Sequence, residues 1–219
     1  MVNLLLNVLI ILVCILSYFV FSMNRKLEEK YRYFLISTIA MVAIYLCIKF
    51  PFIDLGDHSY DLRIIPFIVG ALYGGRKVGV TLLIAILFFR YILVGVDLGL
   101  SITIVQVLII WIFTILIGTN FIHFSLSKKL AIPLNFLVFI YIVNFAIVAM
   151  FFTELINRYF LTILLTHFLI LFFTLALTIY LIEYILNTVF VNSKAVHESV
   201  EKRSTYLVGF SHDIVSSNR

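Results

Sequence analysis

The sequence predicts an all-α polytopic membrane bundle: six full spans, one short crossing, and a helix that continues into the cytoplasm at the C-terminus. Three observations carry this. Of the 219 residues, 63% are hydrophobic and 12% charged. The mean hydropathy is +1.17, a balance that leaves too little polar surface for a soluble domain. The apolar residues fall in runs of membrane-spanning length, and the basic residues concentrate in alternate connections between those runs.

The first run, residues 2–23, lacks a basic leader and a small-residue cleavage site, so it reads as a retained span and not as a signal peptide. Full-length runs follow at 33–53, 78–95, 101–121, 131–152 and 160–190. The last is long enough to project beyond the bilayer. One further apolar piece, residues 62–73, is too short: a helix of about 12 residues covers roughly 18 Å, against a hydrocarbon core of roughly 30 Å.

Charge decides how that short piece runs. Arg25, Lys26, Lys30 and Arg32 follow the first run, Arg76 and Lys77 follow the short piece, and Lys128 and Lys129 follow 101–121. The intervening connections carry Asp54, Asp57 and Asp61, then Asp97, then Glu154 with Arg158. Positive residues stay in the cytoplasm. The alternation holds only if 62–73 traverses most of the membrane, which places the N-terminus outside and the C-terminus inside a cell membrane. A re-entrant hairpin would instead turn Arg76 and Lys77 outward. A short crossing needs its ends sheltered by protein or opening into a wet cavity. Pro66 lies in its first turns, where a missing amide is tolerated. Gly74, Gly75 and Gly79 allow a sharp turn and close helix approach.

Within the spans, Arg90 is the most informative residue. It either snorkels to the outer headgroups or, with Arg63, lines a cavity that clamps a small anion. Asp61 and Asp97 are the expected resting partners. Guanidinium groups hold carboxylates through paired hydrogen bonds, which suits a small organic acid. Lys49 and Glu183 can reach an interface. His58, His123 and His167 are scattered without metal-ligand spacing and read as satisfied structural residues. Asn135, Asn144 and Gln106 read as polar contacts between helices. Cys14 and Cys47 lie in apolar runs and read as buried packing residues, with no metal expected. The net charge of +5 is too small to imply nucleic-acid binding.

The stretch from Asp61 to Gly95 resembles the five-transmembrane sensor region of LytS/YhcK-type proteins. The resemblance rests on Asp61–Leu62–Arg63, Pro66, Tyr73–Gly74–Gly75 with Gly79, and Arg90 followed by Gly95. It implies a sensor domain over residues 1–190, heading a signalling enzyme, usually a histidine kinase or diguanylate cyclase. Such domains are also similar to the substrate-binding subunits of vitamin-uptake transporters.

The polar tail beyond residue 190 has apolar residues at Val196, Val200, Leu207, Phe210 and Ile214, with Arg203 completing steps of 4, 3, 4, 3, 4. That is a coiled-coil seam with one polar interruption. Residues 191–205 therefore read as a parallel dimer helix; a lone amphipathic helix on the inner leaflet fits the same pattern. With Ile214 at position a, His212 falls at f, facing away from the seam. Asp213 beside it can orient the imidazole or take its proton. GFSHDI, residues 209–214, resembles the opening of a histidine-kinase H-box. On that resemblance His212 is the phosphoacceptor, Asp213 its acid/base partner, and 206–219 the start of the phosphoacceptor helix. The usual following proline is missing.

Taken together, these readings predict the sensor region of a homodimeric, sporulation-kinase-like histidine kinase. The expected partners are lipid, a response regulator and a small anionic ligand. ATP and Mg would enter through a domain the 219 residues do not contain, so the chain is expected to be an inactive N-terminal piece. The rival is a small-molecule-binding subunit of an energy-coupling transporter; a membrane adaptor without chemistry is a third reading.

Overall fold

A computed structural model describes residues 2–23, 29–54, 59–96, 98–151 and 160–188. They form six helices: α1 Val2–Met23, α2 Glu29–Lys49, α3 Ile64–Val94, α4 Leu98–Phe121, α5 Leu126–Phe151 and α6 Phe160–Thr188. A two-residue antiparallel ladder, β1 Ile53–Asp54 with β2 Ser59–Tyr60, links α2 to α3. The chain divides into two compact units, 1–180 and 181–219. Only 181–188, the end of α6, is described in the second. The predicted dimer helix 191–205 and the H-box segment 206–219 lie outside the described residues.

Four helices, α3 to α6, contain stretches long and apolar enough to cross a membrane. The α1 and α2 helices, 22 and 21 residues long, are not among those four. Six full spans are thus more than the described helices establish. Helix α2 also begins and ends about four residues earlier than the apolar run. At its end, Phe50 N–H still bonds Leu46 O at 3.0 Å, but Pro51 follows and disfavours helix at the residue before it.

The short apolar piece 62–73 packs at the centre of the structure. The helical stretch from Ile64 to Val94 is broken by a kink at Gly75, whose φ 77° and ψ −172° are non-helical. The chain reverses there. A Cβ placed on Gly79 would lie 3.4 Å from Ala71 Cβ, and one on Gly70 would lie 2.6 Å from Leu82 Cδ1. In a straight helix, residues eight apart are separated by about 12 Å. Residues 64–74 and 76–94 are therefore two arms of a helical hairpin. Its tip meets the start of α2, where Lys77 Nζ lies 6.0 Å from the Tyr33 ring centroid.

The two arms differ in surroundings. Residues 61–68, 70–72 and 74 are all buried, so the first arm is enclosed on every side. The second arm exposes Val80, Ile84, Phe88, Tyr91 and Ile92, an apolar stripe suited to lipid. Around the first arm, Ala40 of α2 stands 3.2 Å from where a Gly70 Cβ would be. The Tyr73 ring meets Phe121 of α4 edge-on at 5.4 Å. Glycine at 70 and 79 permits this approach, as small residues do between membrane helices.

Candidate ligand site at the start of helix α3

Asp61, Leu62 and Arg63 lead into the buried arm. The Asp61 carboxylate accepts the Arg63 backbone N–H at 2.9 Å, fixing the turn two residues on as aspartates commonly do. The same oxygen, Oδ1, accepts Arg63 Nε–H at 2.8 Å. Oδ2 lies 2.7 Å from Arg63 Nη2, an ion-pair contact. The i, i+2 spacing thus closes the helix entry and neutralises the guanidinium together. Asp61 is 3% exposed and Arg63 8%. The expected pairing of these two residues is present. Arg63 Nη1, however, is buried without a hydrogen-bond partner among the described residues. Leaving such a donor unsatisfied costs roughly 1–3 kcal/mol.

The Asp61 backbone is held from α6. Its carbonyl lies 3.1 Å from His167 Nε2, and since a carbonyl only accepts, Nε2 carries the proton. Nδ1 then accepts from the Tyr141 hydroxyl of α5, 2.6 Å away. The imidazole is packed edge-on against Tyr60 at 5.0 Å and lies 5.5 Å from the Phe52 ring. Burial pushes the Tyr60 phenol above its usual value. At the same end of the bundle, Asn7 Nδ2 donates to Phe50 O at 2.6 Å and Asn3 Nδ2 to Pro51 O at 3.0 Å. These bonds tie the start of α1 to the end of α2.

Arg90 is 2% exposed. Its side chain does not snorkel to a surface; it stays inside the bundle. Continuing the register set by Ala71 with Gly79 and Gly70 with Leu82 brings Arg90 to the height of Asp61 and Arg63. The hairpin therefore collects three of the four predicted ligand residues at one end. Asp97, the fourth, lies outside the described residues, as do His212 and Asp213.

His167 is the satisfied structural histidine its sequence context suggested, and its partners are the new information. It bonds a residue 106 positions away, so no local spacing signals the contact. Tyr141 belongs to the site for the same non-local reason. Among the described residues no three acidic, histidine or cysteine side chains group to hold a metal. Cys14 and Cys47 are free thiols, half-buried and buried.

No known protein family, curated protein or solved structure matches this chain.

Proposed function

We propose that residues 1–190 are the membrane sensor of a two-component histidine kinase, which reads a small anion and passes the signal through α6 to His212. One observation carries the sensing half. A charged, hydrogen-bonded cluster of Asp61, Arg63, His167 and Tyr141 lies inside a largely apolar helix bundle. Ionisable groups in such surroundings are expensive and mark ligand or ion sites. In this reading Arg63 and Arg90 contact the ligand. The N-terminus lies outside and the C-terminus in the cytoplasm of a cell membrane.

The kinase half is supported by the sequence: the sensor resemblance of 61–95, the heptad seam, and His212 at its outward position. Two chains pair through the tail. ATP and Mg come from a catalytic domain outside these 219 residues, and the phosphoryl group passes on to a response-regulator aspartate. Asp213 orients the His212 imidazole for attack.

Membranes from cells expressing the gene that encodes these residues, incubated with γ-labelled ATP, should yield acid-labile phosphate on the peptide containing His212. His212→Gln should remove the label while leaving membrane insertion intact. No label in the wild type, or label that persists in the variant, refutes the kinase reading. The buried cluster would equally serve a binding subunit of an energy-coupling transporter. That reading gains if label is absent and the protein co-purifies with an ATPase.

A further inference from the structure

The Asp61–Arg63 pair is arranged so that only one edge of the guanidinium is used. A guanidinium offers two hydrogen-bonding edges: Nε with Nη2, and Nη1 with Nη2. Asp61 takes the first, through Oδ1 on Nε at 2.8 Å and Oδ2 beside Nη2 at 2.7 Å. The second edge ends in Nη1, buried and without a hydrogen-bond partner among the described residues. The Arg63 side chain as a whole is 10% exposed.

The geometry points to Arg63 binding a monocarboxylate end-on through Nη1 and Nη2, with Asp61 as the residue that positions it and not as a ligand contact. This rests on the reading of the chain as a ligand-binding membrane domain, whether sensor or transporter subunit. Three physical reasons single out the ligand class. The two oxygens of a carboxylate match the spacing of the two terminal nitrogens, giving parallel charge-assisted bonds. An acceptor reaching Nη1 restores hydrogen bonds that folding removed, so it is favoured over remaining in water. The nearby Asp61 carboxylate repels a dianion such as phosphate more than a monoanion. The residues next to Arg63 in sequence are apolar, and Leu62, Ile64, Ile65 and Phe67 are all buried. A carboxylate with an apolar body therefore suits the site better than a polyacid.

Asp61 is itself immobilised. Its carbonyl accepts from His167, which Tyr141 locks from the other side. Arg63 is thus referred, through Asp61, to α6. A ligand that pulls on the guanidinium pulls on this chain of bonds.

The test uses the full 219-residue chain in lipid nanodiscs and radiolabelled benzoate in equilibrium dialysis, with unlabelled acetate and inorganic phosphate as competitors. Saturable benzoate binding is expected, displaced by acetate and not by phosphate. Arg63→Lys keeps the charge but loses the planar fork, and should weaken binding at least tenfold. The charge-neutral pair Asp61→Asn with Arg63→Gln should fold and lose saturable binding altogether. His167→Ala removes the donor to the Asp61 carbonyl and should weaken binding. Folding of each variant is checked by circular dichroism. The proposal is overturned if folded wild type shows no saturable benzoate binding, if phosphate displaces benzoate as well as acetate does, or if Arg63→Lys binds unchanged. None of these outcomes depends on phosphate reaching His212, so this test and the kinase test fail separately.

Discussion

Replacing Gly75 by alanine isolates the hairpin from every packing effect. A Cβ at Gly75 would meet nothing within 4 Å, so the substitution causes no clash. What it meets is the backbone: φ 77° with ψ −172° lies in a region open essentially to glycine alone. Holding alanine there costs on the order of 1–3 kcal/mol. Gly118, in α4, is the control, because a Cβ there also meets nothing within 4 Å and its φ is not positive. Alanine at a helical glycine gains roughly 0.5–1 kcal/mol from reduced backbone freedom. The same methyl group should therefore move stability in opposite directions at the two sites, with the variants about 1.5–4 kcal/mol apart. Reversible unfolding in mixed micelles against SDS, followed by circular dichroism, measures both. A Gly75→Ala variant as stable as wild type, or more so, would mean that 64–94 runs as one continuous helix. A labelling experiment gives an independent check. In a background with Cys14 and Cys47 replaced, a cysteine at Arg76 should react with an impermeant maleimide from one side of the membrane and a cysteine at Val96 from the other. A continuous helix would bury position 76 mid-membrane.

Three further outcomes follow from the site. Asp61→Ala leaves the Arg63 guanidinium buried beside no counter-charge and should destabilise by roughly 3–5 kcal/mol, while the neutral pair Asp61→Asn with Arg63→Gln should recover most of that loss; strictly additive effects in the same unfolding assay would show that the two residues are not coupled. Tyr141→Phe leaves His167 Nδ1 without its donor and should cost roughly 1–3 kcal/mol; an unchanged midpoint would mean that the 2.6 Å contact contributes nothing. Tyr60, outside the spans, has its pKa raised by burial, so the folded state keeps this proton to higher pH than the unfolded chain does. Its contribution is full below about pH 10 and is lost as pH rises through the raised value. Stability measured across that range should fall less steeply in Tyr60→Phe, and identical slopes would rule Tyr60 out as the cause.

Helix existence was legible because lipid imposes length and apolarity together. The run at 2–23 is α1 in full, and the α4 and α5 runs differ from their helices by a few residues at their starts. The reversal near Gly75 was legible too, because three closely spaced glycines and a basic pair allowed only a few chain paths. Helix ends were harder. The hydrophobic run at 33–53 continues through Pro51, and only backbone chemistry says that a helix stops before it. The site was half legible. Asp61 and Arg63 stand two residues apart and their opposite charges announce a pair. Arg90 announced itself as an arginine inside an apolar run, but snorkelling and burial share the same sequence, and only packing chose burial. His167 and Tyr141 gave no signal, since each meets its partner across the bundle.

A polar cluster in a membrane bundle needs a place where backbone and side-chain donors can converge without facing lipid. A full-length helix supplies that only along one face. A helix of eleven residues is about 16 Å long, shorter than a hydrocarbon core of roughly 30 Å, so in a membrane at least one of its ends needs neighbours to cover it. That is why the buried carboxylate, the buried guanidinium and the backbone carbonyl that His167 seeks all lie within three residues at the start of α3. The same geometry joins the site to α6. The second arm of the hairpin carries an exposed apolar stripe, whereas the first is buried along most of its length and the turn before it is held to α6 by a hydrogen bond. Arg63 is joined to α6 through two bonded contacts, Arg63 to Asp61 and Asp61 to His167.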